Sequence, residues 1–226
     1  MQGKWFKLFT AGLGFASQAA QAVILSPGLS ELLPTGTTLA ARPELAGQVL
    51  EDQVLPFSFL YATNTVIGTV QSRVVRETAT GTLDFYWRIL NDAASPPQGL
   101  PLFQLNDFFT SSYDADWRAD GLGSRAPTFA YLVGSLDLPT RLMYFQFQDA
   151  TIGAGQSSYF LLLHTDATQY ARTATYVVNP VQPFFGDPDP HDFYPTFAPA
   201  VPEPQSWALM GAGLLLAASV ARRRKA

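Results

Sequence analysis

The chain has 226 residues, a formal net charge of −4 and no cysteine, which excludes disulfides, thiolate metal sites and cysteine nucleophiles within this sequence. Between the lysines near the N-terminus and the basic C-terminal end, eight bases, all arginine, stand against 18 acids, so this part carries a charge of about −10. An acidic surface of this kind disfavours nucleic acids and anionic lipids as partners.

The first 22 residues have the order of parts found in a secretory leader. Lys4 and Lys7 precede a short apolar stretch at 8–16, which is too short to span a membrane. Ala20 and Ala22 are small residues at the two positions that a signal peptidase reads. The sequence therefore predicts a signal peptide that signal peptidase removes after Ala22; a soluble N-terminal helix is the alternative.

Residues 23–178 have the pattern of one all-β domain. In the segment 82–90, apolar side chains alternate with Asp84, Tyr86 and Arg88, which predicts a strand. Further strands are predicted at 66–75, 100–109, 128–136, 143–148, 159–164 and 170–178. Turns rich in Gly and Pro separate them about every ten residues, which favours an antiparallel β-sandwich or jelly roll.

Two flanking segments look less regular. Residues 29–48 are rich in Pro, Thr, Gly and Ala, which predicts a loop or a loosely docked edge. Residues 179–200 are predicted to be an extended Pro-rich linker. Some of its aromatic side chains are expected to pack back onto the domain, and the candidates are Phe184, Phe185, Phe193, Tyr194 and Phe197.

Catalytic motifs are absent from the sequence. Neither a Gly-x-Ser-x-Gly elbow nor a His-Glu-x-x-His pair occurs. The two histidines are His164 and His191, and His164 at a strand end is interpreted as a packing residue. We expect no enzyme activity, no catalytic residues and no cofactor.

Two acidic clusters are candidate cation sites. Asp114, Asp116 and Asp120 could offer oxygen ligands to calcium, although their spacing does not match an EF-hand loop. A solvated strand edge without metal is the favoured interpretation, with Arg118 neutralising one carboxylate. The acidic stretch 187–192, which includes His191, has the same interpretation.

The chain is rich in aromatic residues, with 17 Phe, 9 Tyr and 4 Trp. Most are expected to fill the core of a sandwich. A carbohydrate-binding module would instead expose several on one flat face, and the candidates for such a face are Tyr86, Tyr113 and Tyr144.

The C-terminal end has three parts. Val201, Pro202, Glu203 and Pro204 form a box that resists helix formation. An uncharged apolar run at 206–221 follows; as a helix it would measure about 24 Å, against a bilayer core of about 30 Å. The last part is a group of four bases, here called the basic stop. Basic residues favour the cytoplasmic side of a membrane, so the domain that precedes the apolar run would lie outside. The residues of the basic stop are Arg222, Arg223, Arg224 and Lys225.

A Pro-Glu-Pro box, an apolar helix and a basic end, in this order, resemble the PEP-CTERM protein-sorting signal. The resemblance covers 201–226. It implies an exosortase-type transpeptidase that recognises the Pro202-Glu203-Pro204 region and removes the hydrophobic tail. It also implies an exported protein, transiently anchored in the inner membrane and then held at the cell surface or in the extracellular matrix, with exopolysaccharide as a candidate partner.

Three stretches of the body also resemble the exported domains of PEP-CTERM proteins without an assigned activity. They are Gly81–Trp87, Trp117–Gly123 and Gly155–Ala167. This resemblance carries no catalytic residues. The sequence thus favours a structural surface or matrix protein, and the alternatives are a carbohydrate-binding module and an ordinary single-pass membrane-anchored protein.

Overall fold

Alternating apolar and polar residues form strands throughout the body, as the sequence predicts. The structure is a computed structural model that describes residues 22–61, 63–133, 142–179 and 193–200. Its strands within these ranges are β1 Val23–Ile24, β2 Ser30–Leu32, β3 Gly47–Tyr61, β4 Asn64–Glu77, β5 Leu83–Asn91, β6 Leu102–Asn106, β7 Asp114–Arg118, β8 Phe129–Val133, β9 Leu142–Gln146, β10 Phe160–His164, β11 Tyr170–Asn179 and β12 Tyr194–Pro199.

The strands form two antiparallel sheets that pack as a sandwich, which confirms the predicted fold class. The first sheet has the order β1-β7-β10-β5-β4-β3, and the second has the order β12-β11-β6-β9-β8-β2. Apolar side chains of both sheets meet in one core. Phe85 and Trp87 of β5 lie at its centre, where Phe108 packs edge-on against both rings. The apolar face predicted for residues 82–90 is therefore the core face.

The polar face of β5 is also covered, which the alternation did not predict. The segment 33–46, here called the strap, crosses the outer face of the first sheet and ends in a 3-10 turn at Pro43–Leu45. Leu45 packs there with Val75, Tyr86, Phe160 and Leu162 in a second, smaller apolar cluster. Residues 29–48 are largely irregular, as expected for a loop, but the strap within them is anchored to the sheet through Leu45 and is not loosely docked.

The predicted Pro-rich linker at 179–200 is wrong at its C-terminal end. Residues Tyr194–Pro199 are strand β12, which pairs with β11 at the edge of the second sheet. Thr196 is 1% exposed and receives a hydrogen bond from the Trp87 indole Nε1 at 2.8 Å. Phe197 is buried, as expected for an aromatic that packs back onto the domain. Residues 180–192 lie outside the described residues.

Both ends of the described chain are tied into the sandwich. β1 begins at Val23, the residue after the predicted leader cleavage, and pairs with β7. At the other end, the Ala200 N–H donates to the Gln169 carbonyl at 2.9 Å. Over the ranges that the structure describes, no helix is long and apolar enough to cross a membrane. The helix predicted at 206–221 lies outside them, as does the leader up to residue 21.

Candidate functional site

Charged side chains from adjacent strands of the first sheet converge on its outer face. The register places His164 of β10 opposite Asp84 of β5 on one side and opposite Asp114 of β7 on the other. Glu77 at the end of β4 completes the group, which we call the acidic–histidine cluster. Residues directly opposite in antiparallel strands project to the same face, and β-sheet pairing alone brings these side chains together.

His164 lies between two buried carboxylates. Its Nδ1 is 2.8 Å from Asp84 Oδ1 and 3.1 Å from Glu77 Oε1. The Asp84 and Glu77 side chains are 0% and 1% exposed, whereas the His164 side chain is 28% exposed. A single Nδ1 proton cannot satisfy both oxygens, and no other donor in the described part of the chain reaches Glu77 Oε1.

The outer oxygens of the two carboxylates are held by hydroxyl groups. Thr80 and Thr82 both donate to Glu77 Oε2, and the Tyr86 hydroxyl donates to Asp84 Oδ2 at 3.4 Å. These bonds fix the carboxylates so that Asp84 Oδ1 and Glu77 Oε1 face the imidazole.

The pKa values of Asp84 and His164 are shifted by burial and by the interaction of these two side chains with each other. Burial raises the pKa of Asp84, although the hydrogen bond and the charge of His164 oppose this shift. The hydrogen bond with Asp84 raises the pKa of His164, and the charges of Asp84, Glu77 and Asp114 add to it. Asp84 and His164 therefore both retain their protons to a higher pH than the free side chains would.

The strap places one arginine beside the cluster. Arg42 contacts Glu44 at 2.9 Å, Asp114 at 3.4 Å and Asp116 at 3.8 Å. Burial lowers the pKa of Arg42, but the hydrogen bond to Glu44 and the three nearby carboxylates outweigh burial and raise it. Burial raises the pKa of Asp116 to about 6, and within the described ranges its Oδ2 atom has no hydrogen-bond partner. Carboxylates thus outnumber cations on this face.

The candidate calcium site at Asp114, Asp116 and Asp120 does not assemble among the described residues, because the partners of Asp120 differ from those of the other two carboxylates. Asp114 and Asp116 face Arg42, as above. Asp120 accepts from the Leu39 backbone N–H and from Arg118 Nε, each at 2.8 Å. The expected neutralisation of one carboxylate by Arg118 is confirmed. The favoured interpretation of a solvated edge is wrong for Asp116, which is 1% exposed.

The tyrosines proposed for a sugar-binding face are buried. Tyr86, Tyr113 and Tyr144 are 3%, 2% and 8% exposed. Tyr113 packs against Phe108 in the core and donates to its carbonyl at 2.6 Å. The exposed large apolar side chains of the described residues include no Trp or Tyr. The interpretation of these three tyrosines as an exposed binding face is therefore wrong.

A groove of about 550 Å³ lies on the same outer face, between the strap and the turn that follows β7. Its lining includes Arg73, Tyr86, Arg118 and Phe160, and Arg73 stacks over the Phe160 ring at 4.9 Å. His164 is not part of its lining. The groove and the acidic–histidine cluster are therefore neighbouring features and not one cleft.

Several predicted site residues lie outside the described residues. They are Ala20, Val201, Pro202, Glu203, Pro204, Arg222, Arg223, Arg224, Lys225 and the acidic stretch 187–192. Ala22 is described and directly precedes β1.

Sequence reasoning missed Glu77 and Asp84 as partners of His164. The alternation placed Asp84 on the polar face of its strand, and Glu77 is the only glutamate between Asp52 and Glu203. Neither observation predicts that the strands carrying Glu77 and Asp84 lie close to the strand that carries His164.

The model of one family, the PEP-CTERM protein-sorting motif, matches residues 200–225. The matched region contains the Pro-Glu-Pro box, the apolar run and the whole basic stop, so the resemblance seen in the sequence is confirmed. No curated protein and no solved structure matches the chain. The motif is that of exported proteins sorted by an exosortase.

Proposed function

We propose that the chain is an exported surface or extracellular-matrix protein with a structural, exopolysaccharide-associated role. Its β-sandwich is the part that persists, and its C-terminal motif is the substrate of an exosortase. The sorting motif at 200–225 is the observation that carries this proposal. The predicted leader at 1–22 supports it, because export must precede sorting.

The position of the motif in relation to the fold supports a domain that survives processing. β12 ends at Pro199, and two residues separate it from Pro202. Cleavage in or after the box would leave β12 intact, and with it the hydrogen bond between Thr196 and Trp87. Cleavage would remove the basic stop, and the released domain would be strongly acidic, which keeps it soluble and separated from anionic lipid.

The distribution of aromatic side chains favours a structural role over a carbohydrate-binding module. Stacking on sugar rings requires exposed aromatic faces, whereas Tyr86, Tyr113 and Tyr144 are buried and the exposed large apolar side chains of the described residues include no Trp or Tyr. Coulombic repulsion opposes the association of an acidic protein with an acidic polysaccharide, and divalent cations that bridge the two would offset it. We therefore expect retention in the matrix to depend on divalent cations.

The processing step is tested by replacing Pro202, Glu203 and Pro204 with alanine in the native host. Wild-type protein is expected in the surface or matrix fraction with a shortened C-terminus, whereas the variant stays full-length in the membrane fraction. The matched control replaces Pro188 and Pro190, two prolines upstream of the box, and is expected to be processed normally. Normal processing of the box variant would contradict the proposal.

The matrix role is tested separately, by washing cells that carry mature protein. Chelation with EDTA is expected to release it from the surface, and a strain without exopolysaccharide is expected to shed it into the medium. Retention in both conditions would refute the exopolysaccharide association while leaving the sorting step in place. Saturable binding to neutral glycans on an array would favour the carbohydrate-binding alternative.

A further inference from the structure

We propose that Glu77, Asp84 and His164 form a binding site for a divalent transition-metal ion, with Zn²⁺ as the preferred probe. The site lies on the outer face of the first sheet and is independent of the sorting motif. It uses the imidazole Nδ1 and one oxygen from each carboxylate.

The three donor atoms already converge. They all lie within 4.8 Å of one another, with Nδ1 of His164 2.8 Å from the Asp84 oxygen and 3.1 Å from the Glu77 oxygen. Zinc binds nitrogen and oxygen ligands at about 2.0–2.2 Å, which places tetrahedral ligands about 3.3 Å apart. A metal ion therefore requires each of these two contacts to widen by only about 0.5 Å or less.

In the acidic–histidine cluster, two carboxylate oxygens face one imidazole nitrogen, which carries at most one proton. Nδ1 can donate only one proton, and the Oε1 atom of Glu77 has no donor among the described residues although this side chain is 1% exposed. A buried carboxylate oxygen without a hydrogen-bond partner is energetically costly. A metal ion that displaces the Nδ1 proton would coordinate both oxygens and the nitrogen, and would leave none of the three unsatisfied.

The surrounding residues orient the donors as outer partners of a metal site do. Glu77 is held by the hydroxyls of Thr80 and Thr82, and Asp84 by that of Tyr86. Second-layer hydrogen bonds of this kind fix ligand geometry and strengthen metal binding. The donors are thus positioned before any ion arrives.

Charge and access also favour a dication. Asp114 flanks His164 in the neighbouring strand, and Arg42 is the guanidinium that faces this group of carboxylates in the described part of the chain. A divalent ion would compensate the remaining negative charge. The His164 side chain is 28% exposed, so the cluster lies within reach of solvent.

The donor set discriminates between metals. One imidazole and two carboxylates suit zinc and its first-row neighbours. Calcium prefers six to eight oxygen ligands and gains little from imidazole. We therefore expect calcium to compete poorly at this site.

The test is calorimetric titration of the metal-free full-length chain, purified in detergent through an affinity tag without histidine. Wild-type protein is expected to bind one Zn²⁺ per chain with micromolar or tighter affinity. His164→Gln and Glu77→Gln are each expected to weaken binding at least tenfold. The matched control is His191→Gln, which alters the other histidine and its acidic stretch and is expected to bind as wild type does.

Circular dichroism of each variant separates loss of binding from loss of fold. If Glu77→Gln unfolds, His164→Gln still decides the matter, because this side chain is partly exposed at a strand end. Addition of Co²⁺ to wild-type protein is expected to give visible absorption bands that His164→Gln lacks. Absence of saturable Zn²⁺ binding to wild-type protein, or equal binding by His164→Gln and the control, would overturn the proposal.

Discussion

Replacing Thr196 by valine tests whether β12 belongs to the sandwich. Thr196 is 1% exposed, accepts a hydrogen bond from Trp87 Nε1 at 2.8 Å and donates to Ser72 Oγ at 3.2 Å. Valine has nearly the same shape, so packing is preserved, while the buried indole N–H loses its acceptor. A buried donor left without a partner costs about 1–3 kcal/mol.

Taking about 2 kcal/mol, the melting temperature is expected to fall by about 4–8 °C, since a domain of this size loses about 2–4 °C per kcal/mol. The matched control is Thr173→Val on the exposed side of β11, where little change is expected. Differential scanning calorimetry of the full-length chain in detergent measures both. Equal melting temperatures for the two variants would refute the reasoning and favour a detached C-terminal segment.

A double-mutant cycle isolates this hydrogen bond from other effects. Trp87→Phe removes the donor, so adding Thr196→Val to it is expected to destabilise the domain by less than Thr196→Val does alone. A coupling free energy of about 1 kcal/mol is expected. Strict additivity of the two changes would show that these side chains do not interact.

Three further predictions concern the first sheet. Gly68→Ala is expected to destabilise the domain by about 2 kcal/mol, because a Cβ would lie 2.2 Å from the Leu90 carbonyl oxygen and 2.4 Å from the Phe57 ring. The control in urea unfolding is Gly121→Ala, whose Cβ would have its nearest neighbours at 3.6 Å. Equal loss of stability in the two variants would contradict this prediction. Arg42→Met is expected to lower the free energy of unfolding by about 3 kcal/mol, because it leaves the carboxylates of Asp114 and Asp116 without their cation. Adding Asp116→Asn to this variant should recover part of the lost stability. No recovery would argue against the contact between Arg42 and Asp116. Because burial raises the pKa of Asp116 to about 6 from 3.8, the folded state binds its proton more tightly, so this residue makes stability fall as pH rises from about 4 to about 6. Asp116→Asn should flatten that part of the profile, and an unchanged slope in urea unfolding at stepped pH would count against it.

The strands that the sequence predicted are those with a strong local pattern. The alternation in β5 predicts an apolar face made of Phe85, Trp87 and Ile89. The apolar run before His164 indicates a strand that is buried on both faces. Such signals depend only on neighbouring residues. They establish the class of the fold without specifying which strands become neighbours.

β12 escaped prediction because Pro195 and Pro199 fall within it. Proline cannot donate a ladder hydrogen bond, and a Pro-rich segment is typical of a linker. β12 is nevertheless an edge strand, where only one side is paired and proline is tolerated. Phe197, flagged as an aromatic that should pack inward, was the local signal of this strand.

The acidic–histidine cluster could not be read from the sequence, because its members are far apart in the chain. Asp84 and His164 are 80 residues apart and meet only because β10 inserts between β5 and β7. Asp84 also sits on a face that alternation assigns to solvent. The strap over that face turns an exposed carboxylate into a buried one, and this covering is a tertiary effect.

The most direct test of the central claim is the intact mass of the protein recovered from the surface or matrix fraction of its native host. We expect a chain that begins at Val23, retains β12 through Pro199 and lacks the apolar run and basic stop beyond the Pro-Glu-Pro box. Recovery of an uncut chain from Val23 to Ala226 that remains in the membrane would contradict it.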